Sequence, residues 1–142
     1  MKKKKEEEAR EKKLMQKIFN RVRRHLLKQK ECAFNNGACV YRAPNGLRCA
    51  IGALIKDEVY CKGIEGAGIH SMTCVLEGDP DANYMHANYM LAQVLVETLG
   101  AQAVASYEVR DFLYALQALH DDEDPEQWER ALARFASEME LE

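Results

Sequence analysis

The sequence predicts an α+β protein, predominantly a helical bundle of about four helices with a small inserted β-hairpin. Apolar residues recur at intervals of three and four in segments that begin near positions 14, 79, 102 and 124. Proline and Asn-Gly turn chemistry interrupts the middle of the chain. A length of 142 residues, with 47% hydrophobic and 30% charged residues and only 3 Pro, is typical of one globular domain.

The first helix is predicted to run from Leu14 to about Lys30. Before it, residues 2–13 form a low-complexity, almost entirely charged run that we expect to fray into solvent. The predicted organisation is therefore a charged N-terminal extension at 1–13 and a single domain at 14–142. The apolar stripe that this helix would bury consists of Met15, Ile18, Phe19, Val22 and Leu26.

A β-hairpin is predicted in the middle of the chain. Residues 39–51 form two strand-like stretches around the turn segment Ala43-Pro44-Asn45-Gly46. Gly52 follows, and its missing side chain is expected to let another stretch of backbone approach closely. Residues 63–78 contain four glycines and no helical period, which predicts a mobile loop with one further strand around 72–76.

Three more helices are predicted in the second half of the chain. Asp79-Pro80 is a start signal and Gly100 a stop signal, so one helix is expected to end at Leu99. Another is expected over 102–120, and the last follows the capping pair Asp124-Pro125. The apolar stripes of the last two helices are Val109, Phe112, Leu113, Leu116 and Leu119, and Trp128, Leu132, Phe135 and Met139.

Neither export nor membrane insertion is expected. No apolar run approaches the roughly 18 residues that a spanning helix needs, and the chain starts with Lys and Glu rather than an apolar signal segment. The five cysteines form an odd set without a C-x2-C pair, which predicts reduced, mostly buried thiols in a cytosolic protein. His70 and Cys74 stand four residues apart, but without a second ligand pair we predict no metal and no other cofactor.

Charge is divided unevenly along the chain. The net charge is −3, yet residues 1–31 hold 13 Lys/Arg and 5 Glu, whereas residues 32–142 hold 7 Lys/Arg and 18 Asp/Glu. Two interpretations remain open: the basic helix pairs with acidic helices of the same chain, which we favour, or it contacts an anionic partner such as a nucleic acid. Its basic residues recur at helical spacing opposite the apolar stripe, at Lys13, Lys17, Arg21, Arg24 and Lys28.

The chain carries no complete catalytic set. The doublet His120-Asp121 invites comparison with metal-dependent phosphohydrolases, but no suitable Asp follows at a distance, so His120 is interpreted as a protonated helix-end residue. Cys49 has small apolar neighbours, which predicts a core thiol. We therefore predict a protein that is not an enzyme; the alternative is a small enzyme that acts on a phosphorylated metabolite through Cys49 or His70.

Basic and aromatic side chains are concentrated between positions 41 and 62. A guanidinium group can donate two hydrogen bonds to a phosphate or carboxylate, and a tyrosine ring can stack on a nucleobase. This set could therefore form a pocket for a small nucleotide-type anion. Alternatively, Arg42 and Arg48 only pair with Asp57 and Glu58 across the hairpin, which we favour. The candidate ligand-binding residues are Tyr41, Arg42, Arg48, Lys56, Tyr60 and Lys62.

Two stretches, YRAPNGLRCAIGALIKDEVY at 41–60 and LQALHDDEDPEQW at 116–128, resemble a group of small phage and prophage proteins. In that group a Tyr-Arg, a Gly, a Lys/Arg-Cys-Ala-Ile/Val-Gly run and an Asp-Glu-x-Tyr occur in this order, and a His-Asp, an Asp-Pro and a Trp follow late in the chain. The similarity covers about residues 14–142. It transfers no catalytic residue, and it implies a small accessory protein in the cytoplasm of a bacterial host.

The resemblance, the divided charge and the 41–62 cluster together predict a phage-type accessory protein that inhibits a host defence system by stoichiometric binding. It would sequester a nucleotide-like signal or block a host defence protein. The alternatives are a nucleic-acid-binding regulatory module that uses the basic helix, and the small enzyme described above. Homo-oligomerisation fits each of them, because the helix after position 79 would present an apolar face with Tyr84, Met85, Tyr89 and Met90.

Overall fold

The computed structural model describes residues 1–80, 82 and 85–142. In these residues the chain is mostly helical, with six α-helices and one two-stranded antiparallel sheet. The predominantly helical α+β class is therefore confirmed, whereas the prediction of about four helices was too low. The elements are α1 (Lys2–Gln29), β1 (Phe34–Asn35), β2 (Ala38–Cys39), α2 (Ile69–Leu76), α3 (Met85–Leu99), α4 (Ala101–Ala105), α5 (Tyr107–Asp122) and α6 (Trp128–Glu138).

The chain divides into two compact units. The terminal unit consists of Met1–Leu54 and Leu116–Glu142, and the central unit consists of Ile55–Ala115. The single domain over 14–142 stays a prediction. Among the described residues, no helix combines the length and the apolar character that crossing a bilayer requires.

Helix α1, with 28 residues, is the longest element of the terminal unit. It packs on a 3-10 turn at Gly52–Leu54 and on α6, where the rings of Phe19 and Phe135 stack with centroids 5.9 Å apart. The predicted stripe is confirmed, since all five of its residues are buried: Met15, Ile18, Phe19, Val22 and Leu26.

The charged run at 2–13 is part of α1, although fraying was expected. Glu8 precedes Lys12 by four residues, the orientation that stabilises a helix. The run is also fixed at its end, because the Lys12 ammonium donates to the carbonyl oxygen of Met139 at 2.9 Å. The helix ends at Gln29 with Lys30 in the left-handed conformation, φ 57°.

The β-hairpin lies earlier than predicted. Strands β1 and β2 are joined by Asn36 and Gly37, both with positive φ (53° and 79°), as the tightest hairpin turns require. The predicted strands within 39–51 contain no regular ladder beyond β2: a single antiparallel bridge pairs Arg42 with Arg48. The turn between them is present, since the Gly46 amide donates to the carbonyl oxygen of Ala43 at 2.9 Å.

The central unit departs most from the predictions. Helix α2 replaces the loop and strand expected within 63–78, because burying three apolar side chains at helical spacing, Ile69, Met72 and Val75, outweighs weak local propensity. Helix α3 ends before Gly100 (φ 95°), as predicted. Its start differs from the prediction: the helix begins at Met85, whereas Asp79 and Pro80 are non-helical.

The apolar face predicted on this helix is only partly described. Met85 and Tyr89 of α3 are exposed and Met90 is half-buried, whereas Tyr84 lies outside the described residues. The helix predicted over 102–120 is divided into α4 and α5 at Ser106. Its hydroxyl accepts a hydrogen bond from the Val109 amide at 3.3 Å, so Ser106 starts a new helix by capping it.

Candidate functional site

The basic face of α1 is defined here as Lys13, Lys17, Arg21, Arg24 and Lys28. All five side chains are exposed. At 3.6 residues per turn they fall within an arc of about 80°, roughly opposite the buried stripe, and they span about 22 Å of helix. Sequence spacing thus placed them correctly on one continuous surface.

This face lacks carboxylate partners among the described residues. The ion pair that α1 makes with the acidic C-terminal part is Lys12 with Glu140, 3.9 Å apart, and Lys12 is outside the face. Arg23 is also outside it, because its guanidinium lies over the Phe19 ring, 5.2 Å from the centroid. The favoured interpretation, pairing of the basic helix with acidic helices of the chain, is therefore not realised at the basic face.

The candidate ligand residues of the 41–62 cluster are distributed over both units. Tyr41, Arg42 and Arg48 belong to the terminal unit; Lys56, Tyr60 and Lys62 belong to the central unit. Tyr41 is 6% exposed, which leaves no ring face for a base. In the terminal unit the bridge brings Arg42 and Arg48 directly opposite each other.

The central members of the cluster differ in exposure. Lys56 and Lys62 are exposed, whereas Tyr60 is half-buried and its hydroxyl donates to the Glu65 carboxylate at 2.7 Å. This hydrogen bond gives Tyr60 a structural partner within its own unit.

A hydrogen-bonded cluster that the sequence analysis did not predict joins Cys39, His120 and Asp121. Their ligand-type atoms all lie within 4.8 Å of one another. His120 is fully buried and stacks on Trp128 with ring centroids 5.3 Å apart. The signal in the sequence was the His-Asp doublet, but its partner Cys39 stands 81 positions earlier, so only the folded chain brings them together.

Both ring nitrogens of His120 are engaged. Nε2 accepts a hydrogen bond from the Ala33 amide at 3.3 Å, and Nδ1 donates to Asp121 at 2.8 Å. A ring nitrogen that accepts from an amide has its lone pair engaged, so His120 belongs to a buried hydrogen-bond network, and the protonated helix-end role stays a prediction. A metal ligand needs a free nitrogen lone pair. The cluster therefore does not fit a metal ion and instead ties α5 to the hairpin.

Asp121 accepts several of the hydrogen bonds in this cluster. Burial alone would raise its pKa, but hydrogen bonds from His120, Gln117 and Cys39 stabilise the carboxylate and hold the pKa below its usual value. Gln117 donates to Asp121 at 2.8 Å and accepts from the Ile51 amide at 3.0 Å. The network thus fixes the last turn of α5 against two backbone segments of the terminal unit.

We expect Cys39 to be alkylated slowly although it is exposed. Burial of its sulfur, and then the charge and hydrogen bond of Asp121, raise the pKa of the Cys39 thiol to about 12. At about pH 8, alkylation by iodoacetamide should be about 30-fold slower than that of a cysteine in an unstructured peptide, after allowance for the greater nucleophilicity of a thiolate of high pKa. Peptide mass spectrometry measures the rate. Asp121→Asn should accelerate it; a rate equal to that of the peptide would contradict the assignment.

The residues of the enzyme hypothesis belong to different units. Cys49 is 1% exposed, which confirms the predicted core thiol, and its sulfur accepts a hydrogen bond from the Gly52 amide at 3.3 Å. His70 is exposed on α2, with Nε2 3.8 Å from the Cys74 sulfur and its ring tilted against Tyr114. All five cysteines are free thiols, but only Cys49 is fully buried, so the prediction of mostly buried thiols was too broad.

Comparisons of the chain with protein-family models, with curated proteins and with solved structures found no match. Its class therefore follows from its own geometry: a mostly helical α+β protein whose first helix carries an exposed basic face.

Proposed function

We propose that the protein binds nucleic acid, duplex DNA in the first place, through the basic face of α1. The observation that carries the proposal is that five cationic side chains stand exposed on one side of a helix without carboxylate partners in the described chain. Cations held in this way favour an external anion, because no internal charge competes for them.

The length of the basic face favours an extended polyanion over a small ligand. Over about 22 Å, duplex DNA presents about 13 phosphate charges, so all five cations can be neutralised together. A mononucleotide reaches only the two or three cations nearest to it. A membrane surface is disfavoured, because the apolar side of α1 is buried against its own unit and cannot enter a bilayer.

The experiment is a fluorescence-anisotropy titration of a labelled duplex with three proteins. They are the wild type, the variant Arg21→Glu with Arg24→Glu, and a control with Arg130→Glu and Arg134→Glu. The control arginines are exposed on α6 in the same unit, and each variant lowers the net charge from −3 by two per substitution, to −7. The face variant should bind at least about tenfold more weakly than the control.

If both variants lost affinity for the duplex equally, the loss would follow from net charge alone and would contradict binding through the basic face. Absence of binding by the wild type at about 50 mM salt would reject the proposal outright. Single-stranded RNA of the same length is titrated in parallel, and tighter binding of RNA would shift the proposal to that nucleic acid.

A second candidate function is the phage-type inhibitor of host defence that binds a nucleotide-like signal. One observation favours it: a backbone bridge pairs Arg42 with Arg48, which brings two arginines to adjoining segments of the chain. A phosphate that both side chains reached would be bound by charge-assisted hydrogen bonds. Tyr41 contributes no stacking surface in this version, because it is buried.

The inhibitor hypothesis predicts that the protein binds a cyclic or linear nucleotide in native mass spectrometry. Arg42→Ala with Arg48→Ala should abolish the complex, and Arg130→Ala with Arg134→Ala should leave it unchanged. The melting temperature of each variant is measured first, so that loss of the complex is counted only for a protein that folds. Nucleotide binding that survives both pairs would remove Arg42 and Arg48 from the site.

A further inference from the structure

The central unit contains an open cleft of about 350 Å³ that the functions above do not use. It lies between the C-terminal end of α2 and the start of α4 and α5. Its walls are mainly apolar, with one cationic and one anionic side chain. The lining residues are Leu76, Glu77, Ala101, Val104, Ala105 and Arg110.

Arg110 is the unusual member of this lining. It is only 8% exposed, and the one hydrogen bond of its side chain within the described residues, from Nε to the carbonyl oxygen of Ser106, is long at 3.4 Å. No carboxylate of the described chain forms an ion pair with it, Glu77 of the same cleft included. A mostly buried guanidinium without a counter-charge has lost part of its hydration, and an anion placed in the cleft would pair with it through charge-assisted hydrogen bonds.

The other lining groups restrict the chemistry of that anion. Leu76 and Val104, with the two alanines, offer contact to a hydrocarbon body rather than to a polar one. Glu77 is exposed at the same cleft, and its negative charge opposes a ligand with two charges. The volume lies near the lower end of the range for ligand pockets, roughly 300 to 1,000 Å³, so the ligand is small.

We propose that the cleft binds a small monocarboxylate with an apolar body, whose carboxylate pairs with Arg110 while the body contacts Leu76 and Val104. The proposal is independent of nucleic-acid binding, because none of these residues belongs to the basic face of α1.

The test uses hexanoate and hexanamide, which have the same size and shape but differ in charge. Binding to the full-length protein is followed by chemical shifts in ¹H–¹⁵N NMR spectra, with wild type, Arg110→Met and Arg130→Met. Hexanoate should bind the wild type at least about tenfold more tightly than hexanamide does, because only the carboxylate pairs with the guanidinium. Arg110→Met should remove this preference, and the control Arg130→Met should keep it.

Equal affinities of hexanoate and hexanamide for the wild type would overturn the proposal, as would a preference that survives Arg110→Met. Tighter binding of inorganic phosphate than of hexanoate would overturn the monocarboxylate assignment. Arg110→Met should fold with an unchanged or higher Tm without ligand, because methionine fills the space and removes an unpaired charge. If it fails to fold, Arg110→Lys replaces it; lysine keeps the charge without the fork, and unchanged hexanoate affinity there would contradict the paired geometry.

Discussion

Replacing Gly52 with alanine should destabilise the protein by about 3 kcal/mol or more. A Cβ at this position would overlap the carbonyl oxygen of Tyr41 and stand 2.9 Å from its carbonyl carbon. That oxygen accepts a hydrogen bond from the Cys49 amide, so the two segments cannot separate without losing it. Because the clash is with backbone rather than with a flexible side chain, no rotamer change relieves it, and denaturant unfolding should show the loss directly.

The matched control is Gly68→Ala. A Cβ at Gly68 meets nothing within 4 Å, and this residue has no positive φ that would strain alanine. Gly68→Ala should lower the free energy of unfolding by less than about 1 kcal/mol, which is the difference between Gly and Ala at the start of a helix. Equal unfolding free energies for the Gly52 and Gly68 variants would contradict the close approach of residues 41 and 52.

The affinity of the wild type for duplex DNA should fall about 500-fold when salt rises from about 50 mM to about 200 mM. The figure follows from the basic face of α1: five neutralised phosphates give a slope of about −4.5 in a plot of log affinity against log salt. Counterions released from the duplex cause this dependence, so it measures the number of cations in contact rather than the strength of any one contact.

The variant Arg21→Glu with Arg24→Glu leaves three cations on the face. Its slope should shrink to about −2.7, and the same change in salt should weaken binding only about 40-fold. The α6 control should keep the slope of the wild type, since Arg130 and Arg134 lie outside the face. A slope near −4.5 in the face variant would show that other cations, such as those at 2–5, carry the binding instead.

The basic face and the cleft at Arg110 represent two ways of leaving a cation without an internal partner. On α1 the cations are exposed and hydrated, so the absence of a carboxylate partner costs little free energy, and their binding to an anion weakens as salt rises. Arg110 is mostly buried and has lost part of its hydration, so we expect it to bind an anion whose geometry matches the guanidinium. The two surfaces therefore call for different probes, a polyanion for the first and a small monoanion for the second.

The helices with strong apolar periodicity were predicted well. The buried stripe of α1 and its exposed basic face agree with the prediction residue by residue, and Trp128 and Leu132 of α6 are fully buried. The stop at Gly100 is confirmed by its positive φ. These features depend on the 3.6-residue period and on backbone freedom, which are local properties that can be read along the chain.

The hairpin was misplaced because two segments of the chain have the same turn chemistry. Two Asn-Gly pairs occur, at 36–37 and at 45–46, and the prediction rested on the second, which strand-like residues flank. The first forms the two-residue turn between β1 and β2, whereas the second closes a longer loop with one bridge. Both pairs have suitable turn chemistry, so which one carries the ladder depends on how the neighbouring residues pack.

The amino-acid order alone thus specified the helical class, the amphipathic faces of α1 and α6, the stop at Gly100 and the close approach permitted by Gly52. Folding in three dimensions specified α2, the break at Ser106, the burial of Arg110 and the union of Cys39 with His120 and Asp121. The first group follows from interactions between residues a few positions apart. The second depends on which distant surfaces exclude water together, and that free energy is gained only when the chain packs.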